Sequence, residues 1–203
     1  MEEEAKTVHA RLNSQARDAR YGFVVADIFF ILLRCMIGLI LNVMPTKVTT
    51  RDELVPLLAE RRQRKERIVF TNGCFDLMHI GHVRYLQAAR DLGDLLVVGV
   101  NSDGSVRALH KGADRPIVPD VQRAEVLAAL ACVDYVVMFP EPDPGALITA
   151  LQPDVLVKGG DWPLDRIIGR EVVEARGGLV QTIPLVPGVS TTTLVQRIRS
   201  TTA

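Results

Sequence analysis

Downstream of residue 68 the apolar positions gather into five short runs, at 68–71, 95–100, 135–139, 155–157 and 179–183, dominated by Val, Ile and Leu. Runs so short and so rich in branched side chains predict buried strands. The stretches between them, at 82–92, 121–131, 144–151 and 169–175, and a last one at 191–199, read as helices. Strand and helix therefore alternate, which predicts a Rossmann-like, doubly wound α/β fold: a parallel sheet covered on both faces, with ligands at the carboxyl ends of its strands. No internal repeat or low-complexity tract interrupts the pattern.

Upstream, the spacing of Leu54, Leu57 and Leu58 predicts a helix, and Thr50 with Glu53 has the separation of a capping box at its start. The charged residues at 60–67 read as its solvated face. Residues 23–44 are different: an almost unbroken apolar stretch, long enough to cross a bilayer. Asp27 and Arg34 lie inside it, each costing about 2.5 to 3.5 kcal/mol near a membrane centre. The run is too long for a secretory signal, and no small-x-small cleavage site accompanies it. The chain is therefore read as a hydrophobic extension at 1–43, dispensable for catalysis, and a catalytic domain at 44–203. Met44 is a candidate start for that domain, and membrane contact through 23–44 is the minority alternative.

Composition narrows the partners. The 203 residues suit one globular domain plus an extension. Lys plus Arg and Asp plus Glu number 24 each, so no overall field favours nucleic acid or an anionic membrane, and an anionic ligand must be held locally. The cysteines, Cys35, Cys74 and Cys132, are odd in number and far apart, which argues for a reducing, cytoplasmic location.

The sharpest chemical signal leaves the first of the five strands and enters the next helix: Thr71-Asn72-Gly73-Cys74-Phe75-Asp76-Leu77-Met78-His79-Ile80-Gly81-His82. Gly73 permits a tight turn, Gly81 lets a ligand approach the backbone, and a helix beginning near His82 offers unpaired N–H groups to phosphate. His79 and His82 can face the same anion, and displacement at phosphorus requires donors aimed at developing negative charge. Two other readings compete: Cys74, His79 and His82 as three zinc ligands lacking an evident fourth, and a purely structural histidine pair. Cys74 itself suits a small buried position better than a nucleophile's.

His79-Ile80-Gly81-His82 resembles the signature of the H-x-G-H nucleotidyltransferase superfamily. The resemblance implies a nucleotidyltransferase fold that transfers a nucleoside monophosphate from a triphosphate, with no covalent intermediate. It makes His79 and His82 catalytic and gives Gly73, Cys74, Phe75, Ile80 and Gly81 to the nucleotide site. A later series, Asn101-Ser102-Asp103-Gly104, Lys111-Gly112, Arg115-Pro116 and Gln122-Arg123, is similar to that of the adenylyltransferases that make ADP-heptose. It implies that Lys111 acts in catalysis and holds phosphate together with Arg123; alone, each would read as surface charge.

The segment Val157-Lys158-Gly159-Gly160-Asp161-Trp162 also has a family counterpart. It implies a phosphate contact for Lys158 and a nucleotide or ribose contact for Asp161, against the simpler reading of a turn-capping aspartate. Trp162 suits base stacking, a pocket cover or the core. Ser190, Thr191 and Thr192 match the segment that holds the triphosphate, and Ser190 doubles as an N-cap worth roughly 1 kcal/mol.

The resemblance covers residues 48–199. It implies ATP and D-glycero-β-D-manno-heptose 1-phosphate as substrates, Mg²⁺ bound through the ATP phosphates, no dedicated metal site, and a possible homodimer. In many bacteria this transferase is fused behind a sugar kinase, for which no pattern exists here, so the sugar phosphate is expected from another protein. The alternatives are a cytidylyl- or adenylyltransferase for glycerol 3-phosphate, pantetheine phosphate or a flavin nucleotide, and a nucleotide-binding module without turnover.

Overall fold

A computed structural model describes residues 47–109, 115–160 and 162–201. Within them the chain builds a six-stranded sheet of order β1-β4-β3-β2-β5-β6, parallel at every pairing. The strands are β1 (Val48–Thr49), β2 (Ile68–Gly73), β3 (Leu95–Asn101), β4 (Tyr135–Phe139), β5 (Val155–Gly159) and β6 (Leu179–Ile183). The helices are α1 (Arg51–Gln63), α2 (Ile80–Arg90), α3 (Asp103–Ala108), α4 (Asp120–Ala128), α5 (Gly145–Leu151), α6 (Arg170–Glu174) and α7 (Thr191–Thr201), with a short 3-10 turn at Leu164–Arg166.

The core divides by strand pleat, because successive side chains point to opposite faces. Ile68 and Phe70 of β2 join Val97, Leu54, Leu58, Leu147, Ile148 and Leu151 on the face covered by α1 and α5. Val69 joins Leu96, Val98, Leu86, Ala89 and Leu127 on the face covered by α2 and α4. Every residue of β3 is buried, as a central strand covered on both faces requires. Phe70 is fully buried, so truncating it to alanine would cost about 3 to 5 kcal/mol.

The chain winds from β2 through β3 to β4, then crosses back to lay β5 and β6 on the other side of β2. Strand order therefore reverses between β2 and β5, where Val69 to Thr71 pair with Val155 to Val157. In such sheets ligands occupy the crevice outside the carboxyl ends at this point. The glycine–histidine segment and the Lys158 turn leave these two strands.

The capping box at α1 forms: Thr50 Oγ1 accepts from Glu53 N at 3.3 Å, and Glu53 Oε2 accepts from Thr50 N at 3.0 Å. α2 starts at Ile80, earlier than the expected beginning near His82, because His79 supplies the cap. β1, α3 and the 3-10 turn were not expected. Lys47 ties the first of these in place, its Nζ donating to Leu130 O at 2.9 Å and Val133 O at 2.6 Å. Among the described residues no helix is long and apolar enough to cross a membrane, and the stretch at 23–44 lies outside them.

Candidate active site

The site is built around the turn from β2 into α2. His79 has extended backbone, φ −144° and ψ 169°, and its ring folds back over the first turn of the helix it caps. There Nδ1 accepts from His82 N at 3.3 Å. A Cβ on residue 81 would stand 2.9 Å from that Nδ1 and 3.0 Å from Cε1, so the ring occupies space that only glycine leaves open. The glycine of the motif is thus a requirement of His79's pose. Because Nδ1 is an acceptor, the neutral ring carries its proton on Nε2, leaving that N–H as a donor.

The His79 and His82 rings stack, with centroids 3.8 Å apart and planes 16° from parallel. Phe75 meets His82 edge-on, its ring centroid 5.3 Å away. Burial, then the neighbouring His79, push the His82 imidazole down to about 4, while the Leu77 backbone pulls weakly the other way. His79 is also lowered, by burial first. Both rings are therefore neutral at physiological pH. His82 Nδ1 is buried with no hydrogen-bond partner, an arrangement that a substrate oxygen or proton can complete.

The carbonyl of Val189, just before α7, comes 3.8 Å from where a Cβ on Gly81 would lie. The starts of α2 and α7 are therefore neighbours, and each carries the unpaired N–H groups and positive dipole end of a helix start. Ser190 caps α7: its Oγ accepts from Thr193 N at 3.0 Å and shares a hydrogen bond with Thr193 Oγ1 at 2.8 Å. Thr191 is half-buried and Thr192 exposed in the first turn, which carries no acidic residue. Ile80, the first residue of α2, is also exposed.

Across the strand-order reversal, Lys158 Nζ donates to Asn72 Oδ1 and lies 5.8 Å from the Trp162 ring centroid. This sets a nearly buried cation beside the end of β2, under an indole that is 48% exposed. The exposure removes Trp162 from the core. Lys111 and Asp161 lie outside the described residues.

Arg123 does not occupy the position expected of a phosphate ligand. It is fully buried, donating from Nε to Val118 O at 2.9 Å, from Nη1 to Cys74 O at 2.5 Å, and from Nη2 to Asn101 O and Asp103 Oδ1 at 2.8 and 2.7 Å. A guanidinium so committed is a structural tie beneath the site. Among the described residues no group of three or more His, Cys, Asp or Glu side chains is arranged to hold a metal ion.

Sequence reasoning missed Asn72 and Asp76. Asn72 had a visible signal, a lone amide ending an apolar strand at the ligand-binding edge, and Asp76 stood inside the motif itself.

Comparison with known proteins agrees with this geometry. The cytidylyltransferase-like family pattern matches residues 70–201. The chain is 54% identical over 154 residues to the "Bifunctional protein HldE" of Geotalea uraniireducens, covering 76% of this chain and 31% of that protein. It is 52% identical over 166 residues to the protein of the same name from Koribacter versatilis, covering 82% and 34%. The chain thus spans about a third of the length of these relatives. Among solved structures, a lipopolysaccharide core biosynthesis protein from Thermoplasma volcanium aligns with a TM-score of 0.50 and 28% identity, over 60% of this chain and 97% of that one. With the family pattern spanning β2 through α7 and the histidine pair set at its start, the chain belongs to the cytidylyltransferase-like family of nucleotidyltransferases.

Proposed function

We propose that this chain is an adenylyltransferase that joins AMP from ATP to D-glycero-β-D-manno-heptose 1-phosphate, forming ADP-heptose and releasing pyrophosphate. The observation that carries the reaction type is the stacked His79–His82 pair at the start of α2, set against the start of α7. The acceptor is supported by the identity of 54% and 52% to proteins named HldE, and by the resemblance in the series from Asn101 to Arg123.

In this reading an oxygen of the sugar phosphate attacks the α-phosphorus of ATP. The bond from that phosphorus to the bridging oxygen breaks, and the electron pair leaves with pyrophosphate. His79 Nε2–H and the His82 imidazole donate to the phosphate oxygens as charge builds, joined by the N–H groups at the two helix starts. Ser190, Thr191 and Thr192 hold the triphosphate, and Gly73, Cys74, Phe75, Ile80 and Gly81 shape the nucleotide site. Lys158 and Lys111 serve the phosphates, and Asp161 serves the ribose. The donors of the site are imidazoles, hydroxyls, an ammonium group and amides, which suit phosphate oxygens rather than a hard cation. Mg²⁺ therefore belongs on the ATP phosphates, where it supplies charge neutralisation. The cysteine pattern and the use of ATP support a cytoplasmic location.

The family's cytidylyl members supply the second reading, transfer from CTP to another phosphorylated acceptor. A panel of ATP and CTP against heptose 1-phosphate, glycerol 3-phosphate and pantetheine phosphate separates the two. The proposal expects pyrophosphate release with ATP and heptose 1-phosphate as the best pair. Equal or faster turnover with CTP and glycerol 3-phosphate would overturn the substrate assignment.

A further inference from the structure

Asp76 follows Phe75 in the turn that carries the histidines, and it is the one acidic residue classed as buried among the described residues, 3% exposed. Its carboxylate is wholly engaged by one short segment. Oδ1 accepts from the N–H groups of Ile117 and Val118 at 2.8 Å each, Oδ2 accepts from Ile117 N at 3.0 Å, and Oδ2 pairs with the Arg115 guanidinium. On the other side of Phe75, the Cys74 carbonyl accepts from Arg123, whose Nε donates to Val118 O. The two neighbours of Phe75 are thus each fastened to residues 115–118, one through a carboxylate and the other through a guanidinium.

Phe75 itself has φ +48°, in the left-handed region that a residue with a bulky side chain rarely enters. Such a conformation persists only where the surroundings over-determine it. Its ring lies edge-on to His82 and 3.1 Å from where a Cβ on Gly73 would sit, so the backbone conformation of Phe75 sets one wall of the histidine site.

We propose that Asp76 and Arg123 are positioning residues for the transfer reaction, a two-point clamp on residues 115–118 that holds Phe75 in its left-handed conformation and thereby fixes the wall against which His82 is set. The inference rests on the reading of His82 as a donor to the reacting phosphate. Neither clamp residue touches a reacting atom. When the clamp is loosened, Phe75 relaxes, water reaches His82 and the imidazole loses alignment. Misplacement by about 1 Å costs on the order of 10²-fold in rate. The helix starts that bind triphosphate are left in place.

The test is Asp76→Asn in the full chain. Asparagine keeps one carbonyl oxygen for the Ile117 and Val118 N–H groups, but its NH2 group replaces Oδ2, so a donor faces the Arg115 guanidinium and Ile117 N where an acceptor is needed, and the ion pair is lost. The expected result is a fall in kcat of about 10-fold or more with KM for ATP changed by less than about 3-fold, the split of an interaction felt in the transition state. In NMR titration without substrate, the His82 midpoint is expected to rise from about 4 towards that of an ordinary histidine. Arg115→Gln, which removes only the ion pair from the Asp76 side of the clamp, should move both readouts in the same direction by less, and it serves alone if Asp76→Asn fails to fold. Lowered thermal stability with kcat and the His82 midpoint unchanged would make the clamp a folding device only and overturn the proposal. A shifted His82 midpoint in a chain that transfers no nucleotide even when native would fault the proposed reaction and leave the clamp standing.

Discussion

A methyl group on residue 81 would meet His79 Nδ1 at 2.9 Å, closer than real side-chain carbons approach, and Cε1 at 3.0 Å, so the ring must shift if Gly81 becomes alanine. Alanine is also the better helix former, by about 1 kcal/mol in a helix interior. Gly81→Ala should therefore leave the folded state as stable as before or more so while lowering kcat at least about 10-fold, a separation that parallel melting and rate measurements check. For His82→Ala the loss expected is about 10²-fold in kcat, the scale of one transition-state donor. Near-normal turnover would make the histidine structural. The depressed ionisation of His82 adds a stability prediction with a definite sign. Between its ordinary value of 6.5 and about 4, the unfolded chain binds a proton at His82 that the folded chain does not. The stability conferred by burying the neutral ring is complete above that window and is lost as pH falls through it, so His82→Ala should flatten this part of the melting profile. The histidines were legible because the motif joins residue type, spacing and place in the fold. Arg123 was not, since a positive charge in sequence does not reveal that four backbone and side-chain acceptors enclose it.

At the next scale, the proposed reaction assigns the triphosphate to the helix starts. Ser190 spends its hydroxyl on Thr193 N and Thr193 Oγ1, fixing the first turn of α7. Ser190→Ala should cost about 1 kcal/mol of stability as a lost cap and raise KM for ATP more than it lowers kcat. Unchanged KM in steady-state kinetics would confine Ser190 to capping. The strands at Tyr135–Phe139 and Leu179–Ile183 were legible to the residue, because polar and glycine-containing segments bound their apolar runs. β1 was not, since two residues make no pattern and its place depends on pairing with β4 and on the Lys47 bonds. The start of α2 was misplaced because histidine is not among the usual capping residues, and only its folded-back ring makes it one. α3 was hidden in a stretch, Asn101-Ser102-Asp103-Gly104, whose composition favours a turn as readily as a capped short helix.

At the scale of the molecule, reversal of strand order between β2 and β5 brings the histidine turn and the Lys158 turn to one sheet edge. Alternation in the sequence predicted a doubly wound sheet, whereas the pairing of β2 with β5 emerges only when the whole sheet is assembled. β1 and the Thr50 cap are the first features of the described residues, so we expect a chain starting at Met44 to keep the native melting temperature and kcat/KM, and one starting at Arg51 to lose stability with β1 and the Thr50 cap. Loss of folding or activity in the longer of these would assign residues 1–43 a role in the domain. The central claim, adenylyl transfer to a sugar phosphate, is tested most directly by phosphorus NMR of the protein with Mg²⁺, ATP and D-glycero-β-D-manno-heptose 1-phosphate. Pyrophosphate and a sugar-linked ADP diester should rise in equal amounts, with neither formed when the sugar phosphate is omitted. ATP consumed without the diester, or no reaction under these conditions, would contradict that claim.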